Sequence, residues 1–535
     1  MDSMIYNPLE EYENKFCSLH LENATKFFDG LVKKSGIDID ANRRTVAEYV
    51  SIGDLLKKTK KRLGLWKFLR VLMFITLILI PLAIIKVNPL IKRLQEEIAG
   101  FEEKQGQLLD LASSQMQPLN DLFTDRDCID IIESTIPLLD FAPYFSVEQE
   151  ADMIKNYDFG DYHDSSQSAI DILSGRYNGN PFLFENKFIH TMGTETYHGY
   201  KTIFWTESVR GRDGKRYSVT RSQTLHASVT KPKPYYHTQV VLDYCALAGD
   251  DLRFTRDATH LDRKGDKEIE RYIKRGEKKL QRLDDQAVEQ NDSFTSMSNS
   301  DFEVLFDALD RTNEVQFRLL FTPLAQTNMV DLIRSKTGYG DDFTFIKENK
   351  TNRIISVHSQ GRAINLLPQG YMSYSYDISR NSFIEGNKEY FRAVYFDLAP
   401  ILAIPVYQER PVHSLMPIPD YSQTYSSKEC EALANCVDAR YVVHPDTKTQ
   451  AILKSTFIKS DGDTDKVRIT AFSYDVVSRV DYITVFGGDR RYHSIPVYWD
   501  EYIPLEAHND FFVGSCDDAA GKGVIATRKN LCIYR

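Results

Sequence analysis

The sequence predicts an α+β protein, with a helical N-terminal region, one transmembrane helix, a helical stalk and then a mainly antiparallel, β-rich soluble part with a few helices. Three observations support this class. An uncharged, almost wholly apolar run at residues 71–85 follows a segment with helical periodicity. From Tyr177 onward the chain is rich in aromatic residues and threonine and is interrupted by turn signals. With 535 residues, 42% of them hydrophobic, it is long enough to bury one large or two ordinary domains.

Residues 1–64 are the predicted helical N-terminal region. Apolar residues recur at helical spacing between Leu9 and Leu56 on a charged background, which indicates two short amphipathic helices with a break near Gly36. The second helix ends in five basic residues between Lys57 and Arg62. A topology signal is the simpler explanation of this basic run, and attraction to anionic lipid headgroups is the alternative.

Residues 65–91 are the predicted transmembrane helix. The fifteen uncharged residues at its centre cover only about 22 Å of helix, less than the roughly 30 Å of a hydrocarbon core. Arg70 and Lys86 must therefore extend toward the headgroups, and Trp66 stands where an interfacial aromatic residue belongs. A buried core helix is the alternative interpretation of the same run.

The topology prediction depends on the basic residues that flank this run. Residues 51–70 carry seven Lys or Arg and residues 86–105 carry four, which favours a single-pass protein with a cytoplasmic N-terminus and an extracytoplasmic C-terminal part. The charged start of the chain does not fit a signal peptide, so we expect an uncleaved anchor. Pro81 leaves open a kinked or re-entrant segment that returns to the cytoplasmic side.

Residues 92–125 are the predicted helical stalk. Apolar residues follow a 4,3 spacing through residues 94–122, which is typical of a coiled-coil seam. Such a seam either drives self-association or packs back on its own chain. The seam is diluted at Gln105, Ala112 and Gln115, which favours the intramolecular arrangement. Pro118 predicts that the helix bends or stops there.

Residues 126–294 are predicted to form a domain that is helical at first and then β-rich. The clearest hairpin pairs residues 200–211 with residues 215–229 across Asp213-Gly214, a dipeptide suited to a two-residue turn. The segment KPKPYYHTQVVLDYCAL, which begins at Lys231, predicts another strand. A charged helix is predicted at residues 263–290. Its nine basic and four acidic residues between Arg263 and Arg282 fit a solvated face, with contact to phosphates or anionic lipid as the alternative.

Residues 295–535 are predicted to form a second α+β domain, after a linker at residues 291–300. Residues 315–321 are predicted to be a strand, followed by a helix with Thr322 as its cap and Pro323 at its first position. A hairpin of residues 343–347 with residues 353–358 follows. The anchor, the stalk, the β-rich part and the sequence LLFTPLAQTNMVDLI at residues 319–333 resemble a family of uncharacterised bacterial membrane-anchored proteins built around a domain of unknown function. The resemblance implies membrane anchoring and no particular activity.

The rest of this domain is predicted to be mainly antiparallel sheet. The apolar run YFDLAPILAIPVY, residues 395–407, contains an aspartate and two prolines and is predicted to be a buried strand with a bend. A short helix is predicted at residues 429–437. Three further strands are predicted at residues 452–458, 467–474 and 480–486.

Composition argues against several function classes. The net charge of -10 and the pI of about 5.7 argue against a nucleic-acid partner. The seven cysteines show no zinc-site spacing, and no cofactor motif is present, so neither a metal nor a cofactor is expected. Cysteine usage leaves the redox compartment open. Cys430 and Cys436, six apart on a predicted helix, point in different directions and are not expected to bridge.

Three clusters carry polar chemistry without a convincing motif. Asp158, Asp161, His163 and Asp164 could bind a divalent cation or act in acid–base chemistry, but a solvated loop explains them. Asp461, Asp463 and Asp465 imitate the start of a calcium loop, but Lys466 replaces its glycine, and a hairpin turn fits better. Residues 514–523 contain a Gly-Lys pair without the spacing of a phosphate loop.

The sequence therefore favours binding or scaffolding at the membrane surface, with the lipid bilayer and a protein as partners. Tyrosine and threonine exposed on strands would suit such a recognition surface. Self-association through residues 94–122 is a further hypothesis. The alternative function is a membrane-tethered, hydrolase-like enzyme whose site is assembled only in the fold, and its catalytic residues are unknown from the sequence.

Overall fold

The fold was analysed in a computed structural model of the whole chain. It describes residues 4–75, 83–160, 164–290, 294–337, 339–340, 343–411, 423–462, 464–517 and 522–534. The chain divides into two compact units. The β unit comprises Met1–Leu9, Leu138–Asn365 and Phe396–Arg535, and the helical unit comprises Glu10–Pro137 and Leu366–Tyr395. Residues on both sides of the boundary predicted near residue 295 thus belong to the β unit.

The helices and strands are as follows, numbered in chain order. The α-helices are α1 (Pro8–Glu11), α2 (Cys17–Ser35), α3 (Ile39–Ile75), α4 (Asn88–Asn120), α5 (Asp127–Thr135), α6 (Val147–Tyr157), α7 (Asp266–Gln290), α8 (Ser300–Phe306), α9 (Glu314–Leu320), α10 (Pro323–Arg334), α11 (Tyr376–Leu402) and α12 (Ser427–Ala434). π-Helical turns occur at Tyr12–Phe16 and Ala83–Val87, and 3₁₀ turns at Leu261–Arg263, Val357–Ser359, Pro368–Gly370, Pro405–Gln408 and Ala439–Tyr441. The strands are β1 (Leu139–Phe141), β2 (Gln167–Tyr177), β3 (Asn180–Arg210), β4 (Arg216–Cys245), β5 (Arg253–Arg256), β6 (Phe343–Glu348), β7 (Thr351–Ser356), β8 (Ile452–Asp461), β9 (Thr464–Phe486), β10 (Tyr492–Ser515), β11 (Val524–Arg528) and β12 (Leu531–Tyr534).

The helical unit is built around two long antiparallel helices, α3 and α4, which we call the helical hairpin. The predicted break between the N-terminal helices is confirmed, since α2 ends at Gly36 in the left-handed conformation (φ 66°). The second helix is longer than predicted and continues to Ile75. The predicted stalk is helical and ends at Asn120, soon after Pro118.

The seam predicted in the stalk is buried within the chain. Leu94, Ile98, Leu108, Ala112 and Leu119 are buried. Ala112 and its neighbours lie beside α3, because Asn42 Nδ2 donates to the Ala112 carbonyl over 3.4 Å. α3 of the same chain therefore covers the face that a coiled-coil partner would use.

No helix among the described residues has both the length and the apolar composition that a membrane crossing requires. Residues 76–82, the centre of the span predicted at residues 65–91, lie outside the described residues. The described parts of that segment are the end of α3, the turn Ala83–Val87 and the start of α4. The predicted transmembrane helix is therefore unsupported by the described structure.

The β unit contains two antiparallel sheets, which confirms the predicted class. The first has the order β1-β2-β3-β4-β7-β6-β5 and the second the order β11-β12-β10-β9-β8. The predicted hairpin is confirmed by the pairing of Arg210 with Arg216, but its loop comprises residues 211–215, longer than the predicted two-residue turn, and Gly214 within it has φ 77°. The core of the second sheet packs Val467, Ile469 and Phe511 against α12.

Two predicted strands are wrong, because both segments are helices. Residues 315–321 lie mostly in α9, where the side chain of Asn313 caps the helix by accepting from Gln316 N. Phe317, Leu320 and Phe321 are buried while Val315 and Leu319 are 68% and 66% exposed, which is helical spacing. Residues 395–402 are the buried end of α11, since a continuous apolar run fits a buried helix as well as a strand.

Several other predicted elements are confirmed, and some predicted strands are parts of longer ones. Thr322 caps α10 by accepting from Ala325 N, and β6 pairs with β7 as the predicted hairpin. The predicted strand that follows Lys231 is the second half of β4, and the strands predicted at 467–474 and 480–486 are one strand, β9. The short helix predicted at 429–437 is α12.

Candidate binding surfaces

Two long hairpins extend beyond the sheets and form what we call the arm. The first ribbon consists of residues 190–210 of β3 and 216–236 of β4, and the second consists of residues 473–486 of β9 and 492–505 of β10. In these parts, among the described residues, each strand has a ladder partner only in its own ribbon. Period-2 alternation therefore gives each ribbon one inner and one outer face.

The inner faces of the two ribbons pack on each other. Ile203, Leu225 and Ala227 of the first ribbon form a buried cluster with Ile495 and Val497 of the second. The approach is closest at Gly199, where a Cβ would lie 2.4 Å from the carbonyl oxygen of Pro496. The close packing of the two ribbons therefore requires glycine at position 199.

Polar contacts fix the register of the two ribbons. Lys231 Nζ lies 2.7 Å from Asp481 Oδ2 and 4.1 Å from the centroid of the Trp499 ring. Near the tips, Gly488 N donates to Gln223 Oε1 over 2.7 Å. Both contacts join residues far apart in the chain, so they hold the arm as one body.

The outer face of the first ribbon is uncharged and rich in hydroxyl groups. Its outward positions are the even-numbered residues of 194–206 and of 220–232, and all are exposed. They are Thr194, Thr196, His198, Tyr200, Thr202, Phe204, Thr206, Thr220, Ser222, Thr224, His226, Ser228, Thr230 and Pro232. Cross-strand contacts order them: the Thr202 and Thr224 hydroxyls lie 3.0 Å apart, and His198 Nδ1 lies 2.8 Å from His226 Nε2.

Over residues 480–486 and 492–498 the outer face of the second ribbon is uncharged and aromatic, and we call this stretch the aromatic face. Its eight positions are Val480, Tyr482, Thr484, Phe486, Tyr492, Ser494, Pro496 and Tyr498. The four rings are 56–75% exposed. Phe486 and Tyr492 form a cross-strand pair with ring centroids 5.2 Å apart. The four rings thus share one face of the ribbon, with the Thr484–Ser494 pair between Tyr482 and Phe486.

A buried ionic network on α12 is the densest cluster of titratable groups described in the β unit. Lys428 Nζ lies 2.8 Å from Glu185 of β3, and Lys454 of β8 lies 2.8 Å from Glu431. Arg528 of β11 contacts both Glu429 and Asp171. Burial raises the pKa of Glu185, but the ammonium groups of Lys428 and Lys187 outweigh it and lower that pKa to about 2.

This network joins the two sheets and leaves little room for chemistry. Glu431 accepts from Ala169 N of β2 over 3.2 Å, and Glu429 accepts from Phe145 N over 2.9 Å. Each carboxylate of α12 is therefore used both by a cation and by a backbone donor. We interpret the network as a structural joint between β2, β3, β8 and β11.

The cation-like clusters predicted from sequence do not converge in the described residues. Asp158 ends α6 in the left-handed conformation, and Asp164 accepts from Ser166 N over 2.8 Å in a local turn. Asp161 and His163 lie outside the described residues. Asp465 is buried and accepts from Thr424 N and Tyr425 N. The predicted hairpin turn between β8 and β9 is confirmed, while Asp463 lies outside the described part.

No group of three or more His, Cys, Asp or Glu side chains is placed to hold a metal ion in the part of the chain that the structure describes. Cys516 and Cys532 form a disulfide between β12 and the residue after β10. It occupies the start of the glycine-rich segment 514–523, whose residues 518–521 lie outside the description. Cys430 and Cys436 do not bridge each other, as predicted, and both are free.

The basic helix α7 lines two surface cavities. One, of about 280 Å³, is bordered by Tyr272, Arg275 and Lys279, and Lys279 pairs with Asp307 over 3.5 Å. The other, of about 390 Å³, is lined by four cationic side chains, Arg275, Lys278, Lys279 and Arg282. Ile269, Ile273 and Leu280 are buried on the opposite stripe. An amphipathic helix with a solvated basic face accounts for this arrangement.

No protein-family model, curated protein or solved structure matches the chain. The functional argument therefore depends on the surfaces themselves. Sequence reasoning had pointed to tyrosine and threonine on strands but had not located the aromatic face. A signal was present only for the hydroxyl-rich face of the first ribbon: over residues 194–206 and 220–232, the charged residues fall only at odd positions.

Proposed function

We propose that the protein is a binding or scaffolding protein at the membrane surface and that its arm holds a protein partner. The lack of charge on the outer faces of the arm carries this proposal. None of the 22 outward positions in these two stretches, 14 at residues 194–206 and 220–232 and 8 on the aromatic face, is Asp, Glu, Lys or Arg, whereas Arg210, Arg216 and Asp500 border the stretches on the same faces. In a chain with 27% charged residues, about six would be expected.

The aromatic face is the part of the arm that best fits a partner. Protein interfaces are enriched in tyrosine and phenylalanine and depleted in lysine, glutamate and aspartate. Tyr482, Tyr492 and Tyr498 are each at least 67% exposed and can supply large contact areas at a low cost in side-chain entropy. An exposed ribbon face without charge is also prone to associate unless a partner covers it.

The membrane location is supported by the sequence around the helical hairpin. Residues 71–85 are uncharged and almost wholly apolar, and basic residues flank them on both sides. The disulfide Cys516–Cys532 supports an extracytoplasmic position for the β unit, because such bonds persist in oxidising compartments. A membrane-tethered hydrolase would need a pocket with convergent carboxylates and histidines, and no observation on the described residues favours it.

Site-specific photo-crosslinking tests the proposal in cells that produce the full chain. A photoreactive phenylalanine analogue replaces Tyr482 or Tyr498 on the aromatic face, and Tyr6, which is 55% exposed and off the arm, serves as the matched control. We expect one discrete protein adduct from both arm positions and none from Tyr6. The adduct should disappear when Phe486→Glu is added, since a charge would then enter the aromatic face.

Two results would contradict this assignment. One is the absence of an adduct from both arm positions. The other is an adduct of the same size from Tyr6, which would show non-specific contact. Phe486→Glu should leave the melting temperature close to that of the parent chain, because its ring is 56% exposed.

A further inference from the structure

The two helices of the helical hairpin, α3 and α4, run in opposite directions. Contacts between α3 and α4 join Asn42 to Ala112, Glu48 to Lys104 (2.6 Å) and Lys60 to Glu102 (2.7 Å). The residue number rises along α3 as it falls along α4. The end of α3 at Ile75 and the turn at Ala83–Val87 therefore lie at the same end of the hairpin, which we call the hairpin end.

Apolar side chains are exposed at the hairpin end. Leu65, Phe68, Val71 and Leu72 of α3 are 50–65% exposed, and Ile85 is 70% exposed. Farther along the hairpin, the seam residues Leu94, Ile98 and Leu108 are buried. Exposed apolar residues grouped at one end of a helix pair indicate a contact with an apolar phase or partner.

The charge around these residues has one sign. From residue 55 to residue 95 the chain has ten Lys or Arg and no Asp or Glu, although its net charge is -10. The antiparallel pairing brings the basic residues of both helices to the same end. Lys67 of α3 and Lys92 of α4 are exposed there, whereas Lys60, farther from this end, pairs with Glu102 of α4. Apolar residues ringed by cations complement an anionic lipid surface.

We infer that the hairpin end enters one leaflet of an anionic lipid bilayer and that both helices return to the side from which they came. This inference rests on the membrane location of the proposed function and not on the arm. It replaces the predicted single pass with the re-entrant alternative, since helices paired side by side cannot leave a membrane on opposite faces.

The described part of α3 beyond Arg70 is much shorter than a membrane crossing. From Arg70 to Ile75, the last described residue of α3, the helix advances about 8 Å. Interfacial helices bury their apolar residues by about 5–10 Å, whereas a crossing requires about 30 Å. Arg70 and Lys86 would then lie at the level of the headgroups.

Flotation of the purified full chain tests the lipid contact. The probes are vesicles of phosphatidylcholine with and without phosphatidylglycerol. We expect binding to the anionic vesicles. Leu72→Asp should weaken this binding about tenfold or more, because the leucine side chain would no longer be buried in the lipid. Leu111→Asp, a change at a 49%-exposed residue elsewhere on α4, is the matched control and should leave binding within about twofold. Equal loss in both variants, or equal binding to neutral vesicles, would overturn the lipid assignment.

Labelling in cells tests the one-sided path. Ser51→Cys on α3 and Ser114→Cys on α4 place a thiol at an exposed position of each helix of the hairpin. Both changes are made in a chain that carries Cys436→Ser. An impermeant maleimide is applied before and after lysis. We expect both thiols to react in the same sample. Reaction of one before lysis and of the other only after it would show a crossing and overturn the inference, while the crosslink at Tyr482 would stay unaffected and keep the two proposals separable.

Discussion

At the residue scale, the helical unit depends on a buried neutral histidine. His20 is 1% exposed and stacks on Phe391 with ring centroids 4.1 Å apart. Its Nε2 lies 3.2 Å from the Asn387 carbonyl and its Nδ1 3.2 Å from Thr135 Oγ1. Burial lowers the pKa of His20 to about 4, although the Asn387 carbonyl opposes this shift. The folded helical unit therefore prefers the uncharged imidazole.

This histidine predicts a pH dependence of stability. Because the pKa is lower in the folded state than its ordinary value of 6.5, the unfolded chain binds the extra proton first as the pH falls. The contribution of neutral His20 to the free energy of unfolding should be fully present above pH 6.5. The free energy of unfolding should decrease by roughly 3 kcal/mol toward pH 4. Thermal unfolding between these pH values measures it, with His20→Gln as the comparison. An identical slope in that variant would refute the role of His20.

A second prediction at this scale concerns the ionic network on α12. Lys428→Met leaves the buried carboxylate of Glu185 without its closest cation, since their atoms lie 2.8 Å apart. We expect a loss of about 3–5 kcal/mol in the free energy of unfolding. The double variant Lys428→Met, Glu185→Leu should recover part of this loss, because both members of the pair are removed together, while buried Lys187 loses its contact with Glu185. Denaturant titration measures these free energies of unfolding. A double variant whose loss equals the sum of the losses in the two single variants would contradict the pairing.

At the element scale, the arm depends on one glycine. In Gly199→Ala the new Cβ would meet the Pro496 carbonyl at 2.4 Å and Val497 at 3.0 Å, so the ribbons must separate. We expect local destabilisation by about 1–3 kcal/mol and faster amide exchange in residues 492–498. Gly265→Ala meets no atom within 4 Å and is the control. Unchanged exchange in Gly199→Ala would show that the ribbons do not pack as described.

The element scale also shows what a sequence can predict. The break at Gly36 and the cap at Thr322 were predictable because local chemistry determines both of them. The dipeptide Asp213-Gly214 located the hairpin but not the length of its loop. The strand predicted at residues 315–321 failed because its apolar residues fit both periods, and only tertiary burial decides between them. The aromatic face needed the pairing of β9 with β10, which periodicity alone does not give.

At the scale of the whole molecule, each unit carries one part of the proposed role. The helical unit offers a hairpin end for lipid, and the β unit offers an uncharged arm for a partner. The class of the chain, with two antiparallel sheets and several helices, was predictable from composition and turn signals. The antiparallel return of α4 along α3 was not, because the apolar run fits both a crossing and the end of a hairpin.

The most direct test of a role at the membrane surface is the share of the full-length chain that sediments with membranes after a high-salt wash. We expect the parent chain to sediment, because apolar contacts survive salt while exposed charge contacts are screened. The double variant Phe68→Asp, Leu72→Asp should move to the supernatant, and Leu111→Asp should not. If the parent chain stays in the supernatant without any wash, the membrane role is wrong.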